Sequence, residues 1–146
     1  MTTHESQPER VVGLTKDVGW EIGVSRTLLY LLTDVWHLLI SRDGLALWLG
    51  PGAELSPERG GSYATATGVT GEIRSFHDGS RIRLTWRPSD WKHDTTLQVT
   101  VSASGSGTLL RFHQERLASS AEREAQRIHW QSVVDALAAA LGASRQ

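Results

Sequence analysis

The sequence predicts an α+β domain in which a curved antiparallel sheet wraps one long C-terminal helix. Three observations lead there. The middle of the chain alternates apolar and polar residues in short runs, divided by turns rich in Gly, Asp and Ser. Strands joined by turns that short run antiparallel, because a parallel pair needs a crossover of about a dozen residues or more. Near the C-terminus the apolar residues recur at helical spacing instead, over about twenty residues, or roughly 30 Å of helix.

Taken in order, residues 1–12 are polar and read as a flexible tail ahead of one domain over 13–146. In 19–26, Trp20, Ile22 and Val24 alternate with Glu21, Gly23 and Ser25, the pattern of a half-buried strand. Thr33 or Asp34 can cap a first short helix, whose apolar face holds Val35, Trp36, Leu38, Leu39 and Ile40. Ser41-Arg42-Asp43-Gly44 interrupts it, and a second short helix over 45–49 stops at Gly50-Pro51-Gly52. Strands follow at 62–66, 69–76, 81–86, 95–102 and 108–115, giving an expected total of about six to seven. Asp78-Gly79 marks a hairpin turn. Ile82, Leu84 and Trp86 share one face, as do Leu97, Val99 and Val101, and then Leu110 and Phe112. Arg81, Arg83, Arg111, His113 and Glu115 fall on the opposite face. A sheet apolar on one side must be covered there. The cover is the last helix, opened by the capping-box pattern Ser119-x-x-Glu122 and stopped at Gly142. Its apolar stripe is Ala125, Ile128, Trp130, Val133, Val134, Leu137 and Leu141.

Composition removes several classes of function. With 15 basic and 16 acidic residues the formal charge is -1, so no cationic excess exists to neutralise phosphates and no nucleic-acid partner is expected. No apolar run approaches the ~20 residues of a membrane span, and the polar first ten residues do not read as a signal peptide, so no membrane association is expected. The absence of cysteine excludes disulfides, thiolate nucleophiles and Cys-based zinc sites, and fits a cytoplasmic location. No His-Glu-x-x-His spacing occurs, so neither a metal nor any other cofactor is expected.

Several marker residues carry a family likeness. They are Val35-Trp36, Gly44-Leu45-Ala46-Leu47-Trp48-Leu49-Gly50, and the Gly-marked strands between Gly61 and Gly71. Leu84-Thr85-Trp86, Gly105-Ser106-Gly107-Thr108, Trp130 and Leu137 complete the set. In that order they resemble the SRPBCC (START-like, helix-grip) superfamily, in the branch named for the activator of heat-shock protein 90 ATPase. The likeness runs from about Gly19 to Leu141. It departs at His129, where the family often has Gly before the helix Trp, and at the charged strand end from His113 to Leu117. The resemblance implies the helix-grip fold and a pocket between sheet and last helix. It transfers no activity, because the superfamily includes lipid and hormone binders, polyketide cyclases and aromatases, and co-chaperone domains.

The expected ligand-binding residues are Leu84, Trp86, Leu97, Val99, Phe112, Trp130, Val134 and Leu137, with Trp48 near the mouth and Trp91 as a lid on the loop over 88–94. Apolar cavities with a few polar groups are the usual small-molecule sites. His113, Glu115 and His129 are the catalytic candidates, with His93 and Asp94 as further polar groups. Strand alternation sends His113 and Glu115 away from the last helix, which weighs against them. The leading reading is a non-enzymatic module for a small hydrophobic or amphipathic molecule. The alternatives are a cyclase-, dehydratase- or hydrolase-type enzyme and, last, a co-chaperone-like interaction domain, since no separate chaperone-binding domain accompanies the likeness. A homodimer is compatible with the free sheet face.

Overall fold

The structure, a computed structural model, describes residues 13–15 and 19–144. The tail expected at 1–12 lies outside the described residues. The elements run β1 (Leu14–Thr15), β2 (Gly19–Leu28), α1 (Leu32–Ile40), α2 (Arg42–Trp48), β3 (Ser62–Ala64), β4 (Thr70–His77), β5 (Arg81–Trp86), β6 (Thr95–Ser104), β7 (Gly107–Leu117) and α3 (Ser120–Ser144). Among the described residues the strands form one antiparallel sheet of seven, ordered β1-β2-β7-β6-β5-β4-β3. The first long strand thus pairs with the last, and α1 and α2 lie in the excursion between them.

The pairings align inward side chains into rows that cross the sheet. One row reads Val24, Phe112, Val99, Ile82 and Phe76. The next reads Ile22, Gln114, Leu97, Leu84 and Ile73, with one polar residue among four apolar ones. Against these rows α3 lays Trp130, Val133, Val134, Leu137 and Leu141, all buried. No helix among the described residues is long and apolar enough to cross a membrane.

Three local expectations are corrected. First, α1 begins at Leu32, one residue ahead of the expected caps, and Leu31 at its N-cap makes no side-chain bond. Thr33 and Asp34 sit inside the first turn, where Asp34 faces the positive end of the helix dipole. Burial of Val35, Trp36 and Leu39 holds this helix in place of a cap. Second, α2 starts at Arg42 rather than 45, because Ser41 alone divides the helices. Its hydroxyl donates to the Leu38 carbonyl at 2.7 Å and accepts from the Gly44 amide at 3.0 Å. Third, α3 continues through Gly142 to Ser144. Its buried stripe holds Gln126, while Ile128 is 57% exposed and Ala125 also faces water. Once Trp130 faces the sheet, a residue two positions away points roughly 200° around the helix.

Candidate functional site: the aromatic end of the grip

β7 brings Gln114 into the core in phase with Leu110 and Phe112, at 0% exposure. Its carbonyl oxygen accepts from the Trp130 indole at 2.8 Å and from the Gln126 amide at 3.0 Å. Its own amide donates to the Thr95 hydroxyl at 2.9 Å, which donates to the Trp86 carbonyl at 2.6 Å. Each of these buried groups finds a partner, as interiors require. The Trp86 indole N–H differs: it is buried and has no acceptor among the described residues.

Aromatic rings gather round the Trp86 side chain. Trp86 meets Trp91 edge to face at 5.4 Å, Trp130 at 5.8 Å and His129 at 6.0 Å. Trp91 comes from the loop after β5 and stacks on His93 at 5.0 Å, nearly parallel. His93 in turn bonds Glu122 at 2.8 Å, in the first turn of α3, and Glu122 also accepts from the Ala118 amide. The Trp91 loop is therefore fastened to the helix start. The Ser119 hydroxyl accepts from the Glu122 amide at 3.1 Å, completing the cap. His129 sits at the rim with its ring against Trp86, and these apolar surroundings hold its pKa below the ordinary 6.5 by desolvating the charged form.

The remaining expected lining residues pack on one another. Leu84, Leu97, Val99, Phe112, Trp130, Val134 and Leu137 are buried, with Phe112 and Trp130 stacked at 4.9 Å. Trp48 is not near a mouth. It is fully buried, its indole donates to the Leu39 carbonyl at 2.9 Å and its ring meets Phe112 at 6.0 Å. That indole satisfies a carbonyl at the end of α1 that has no helical partner.

His113 and Glu115 stand on the outer face. His113 bonds Glu21 at 2.6 Å through Nε2, and its Nδ1 lies 3.8 Å from Glu115. Arg83 donates to Glu115 at 3.1 Å. A bulge makes this trio. Between the pairs Trp20↔Leu117 and Ile22↔Gln114, β7 has two residues where β2 has one, and Arg116 takes a φ of 67°. The extra residue turns Leu117 inward and sets Glu21 beside His113. One donor atom each from Glu21, His113 and Glu115 lies within 4.8 Å of the others, which a metal ion could bridge. Yet the carboxylates sit at opposite ring nitrogens, and Arg83 already neutralises one of them. The trio is closed by its own bonds.

Sequence reasoning overlooked Gln114, Gln126 and Thr95, and read Glu122 only as part of the capping box. Period-2 alternation did carry a signal for Gln114, since 110, 112 and 114 share a face. Thr95 and Gln126 reach it only through tertiary folding, 19 and 12 residues away along the chain.

An antiparallel sheet closed on a long C-terminal helix, with two short helices inserted after the first long strand, defines the helix-grip class of α+β protein. Residues 31–142 match the family described as Activator of Hsp90 ATPase homolog 1-like protein, and the chain belongs to that family. Among solved structures it resembles DynU16 of the dynemicin biosynthetic locus, at 16% identity and a TM-score of 0.75, over 84% of this chain and 47% of that one. The chain thus spans about half the length of that protein. It also resembles CV1439 from Chromobacterium violaceum, at 24% identity, TM-score 0.69, covering 83% and 96% of the two chains. A third likeness is the Aha1 dimer from Colwellia psychrerythraea, at 15% identity, TM-score 0.68, covering 83% and 95%. At such identities the likeness concerns the fold. No curated protein matches the sequence.

Proposed function

We propose that this chain is a binding module for one small amphipathic molecule, received at the end of the grip where Trp86, Trp91 and His129 meet. The observation that carries the reading is the Trp86 indole N–H, buried among rings without an acceptor among the described residues. An unpaired buried donor costs about 1–3 kcal/mol, so a ligand oxygen placed there recovers a real loss. The surrounding rings offer stacking surface for the apolar body, and the Gln114 network gives a polar floor. Entry requires the Trp91 loop to swing away from Trp86. Of the three acid–base candidates only His129 borders this end, and it is assigned here as a wall of the site.

Native mass spectrometry of protein purified without denaturation, followed by tryptophan-fluorescence titration with long-chain and aromatic acids, alcohols and ketones, tests the reading. Trp86→Phe keeps the ring and removes the donor. It should weaken the best ligand roughly five- to tenfold, the value of one hydrogen bond. Equal affinity in the variant, or saturation by no member of the panel, rejects the site. A co-chaperone role is the competing reading from the family name; acceleration of a chaperone ATPase by this protein would favour it instead.

A further inference from the structure

At the opposite end of β5 lies a groove of about 550 Å³, walled by Ile40, Leu55, Pro57, Phe76 and Asp78. A second hollow of about 250 Å³ shares Ile40 and Leu55 and adds Arg42, Leu45, Ala53 and Glu54. The first hollow alone is within the roughly 300–1,000 Å³ typical of small-molecule sites. Its floor is apolar surface that the fold leaves open to water, Ile40 being 37% exposed.

We propose that this groove is a separate binding site, and that it takes a small hydrophobic cation: a primary or quaternary ammonium carried on an alkyl or aryl body. The charge comes from Asp78, in the turn between β4 and β5. One of its oxygens accepts from the Trp36 indole at 2.8 Å, which fixes the carboxylate without neutralising it. The other oxygen has no partner among the described residues. Beside it Phe76, itself braced edge to face against Trp36 at 5.8 Å, contributes a ring to the wall. A carboxylate and an aromatic ring on one apolar wall are the two groups that recognise an ammonium head, by charge and by the ring quadrupole. Ile40, Leu55 and Pro57 receive the apolar body. Across both hollows Asp78 and Glu54 face Arg42 alone, a net charge of -1 among these lining residues. A fatty anion would meet Asp78 unpaired. The site is distinct from the aromatic end: Trp86 lies five residue steps from Arg81 along β5, roughly 16 Å at strand spacing.

The test follows the indole N–H signals of the whole chain by two-dimensional NMR while octyltrimethylammonium, octanol or octyl sulfate is added below its micelle concentration. The Trp36 signal, assigned with Trp36→Phe, should shift saturably with the ammonium, more weakly with the alcohol and not with the sulfate. The Trp86 and Trp130 signals should stay in place, which keeps this result separate from the site proposed above. Asp78→Asn retains an acceptor for Trp36 and should weaken the ammonium about fivefold while leaving the alcohol unchanged. Phe76→Leu, which keeps apolar volume, should weaken it roughly two- to fivefold, and an otherwise unaltered indole spectrum checks its fold. Sulfate binding as well as ammonium, a Trp36 signal that does not move, or a folded Asp78→Asn that binds ammonium undiminished each overturns the proposal.

Discussion

Replacing Gln114 by Met keeps the length of the side chain and removes both ends of its hydrogen bonding. The Trp130 indole and the Gln126 amide then lose their shared acceptor, at 2.8 and 3.0 Å. Thr95 keeps its bond to the Trp86 carbonyl and loses only an incoming donor. Two orphaned buried donors at about 1–3 kcal/mol each, less a small gain from the apolar methionine, give a net loss of about 2–4 kcal/mol. For a chain of this size that lowers the melting temperature by roughly 6–12 °C. Urea unfolding should show a lower midpoint at unchanged slope, the mark of lost stability rather than an altered denatured state. A cycle with Trp130→Phe isolates the bond between the two side chains. Their coupling should exceed about 0.5 kcal/mol, so that Gln114→Met costs less when the indole donor is already gone. A loss under about 0.5 kcal/mol for the single change, or strict additivity in the cycle, would refute the claim that this network is fully engaged.

Two further outcomes are expected. His129 has a folded pKa below the ordinary 6.5, so the unfolded chain binds its proton more readily. Its contribution to stability is complete above pH 6.5 and is lost as the pH falls through the folded value; the parent should therefore lose stability relative to His129→Gln as the pH falls below 6.5, and parallel curves across that range would contradict the assignment. Gly44→Ala would put a methyl 1.7 Å from the Leu38 carbonyl oxygen, so α1 and α2 must part; a loss of about 2–3 kcal/mol or more is expected in the same urea assay, and a neutral result would mean the helix junction is looser than described.

Alternation made the sheet legible in the sequence. The run Ile82, Leu84, Trp86 occupies a strand, β5, that matches its expected bounds of 81–86. Helix ends were less legible, because packing can replace a cap, as at Leu31, and can carry a glycine inside a helix, as at Gly142. The bulge at Arg116 had no signal, since nothing in arginine marks a left-handed φ. Of the aromatic end, Trp86, Trp91, Trp130 and His129 were named from the sequence. Their polar floor was not, because its members join β6, β7 and α3, and only the folded register sets them together.

The two rims of the sheet carry a consequence for how the chain behaves among copies of itself. A sheet that is not closed has two borders whose free N–H and C=O groups can template another chain, the first step toward fibrous aggregates. Among the described residues the border strands, β1 and β3, are two and three residues long. Of the long strands, β5, β6 and β7 are paired on both sides, whereas β2 meets β1 only at Gly19 and Trp20 and pairs with β7 alone along the rest of its length. A second molecule docking on either border strand itself would find room for one or two ladder bonds, too few to offset the entropy of alignment. Lateral growth is thereby disfavoured at the border strands themselves, and a strand added from another copy would have to find the stretches of β2 and β4 that run past them.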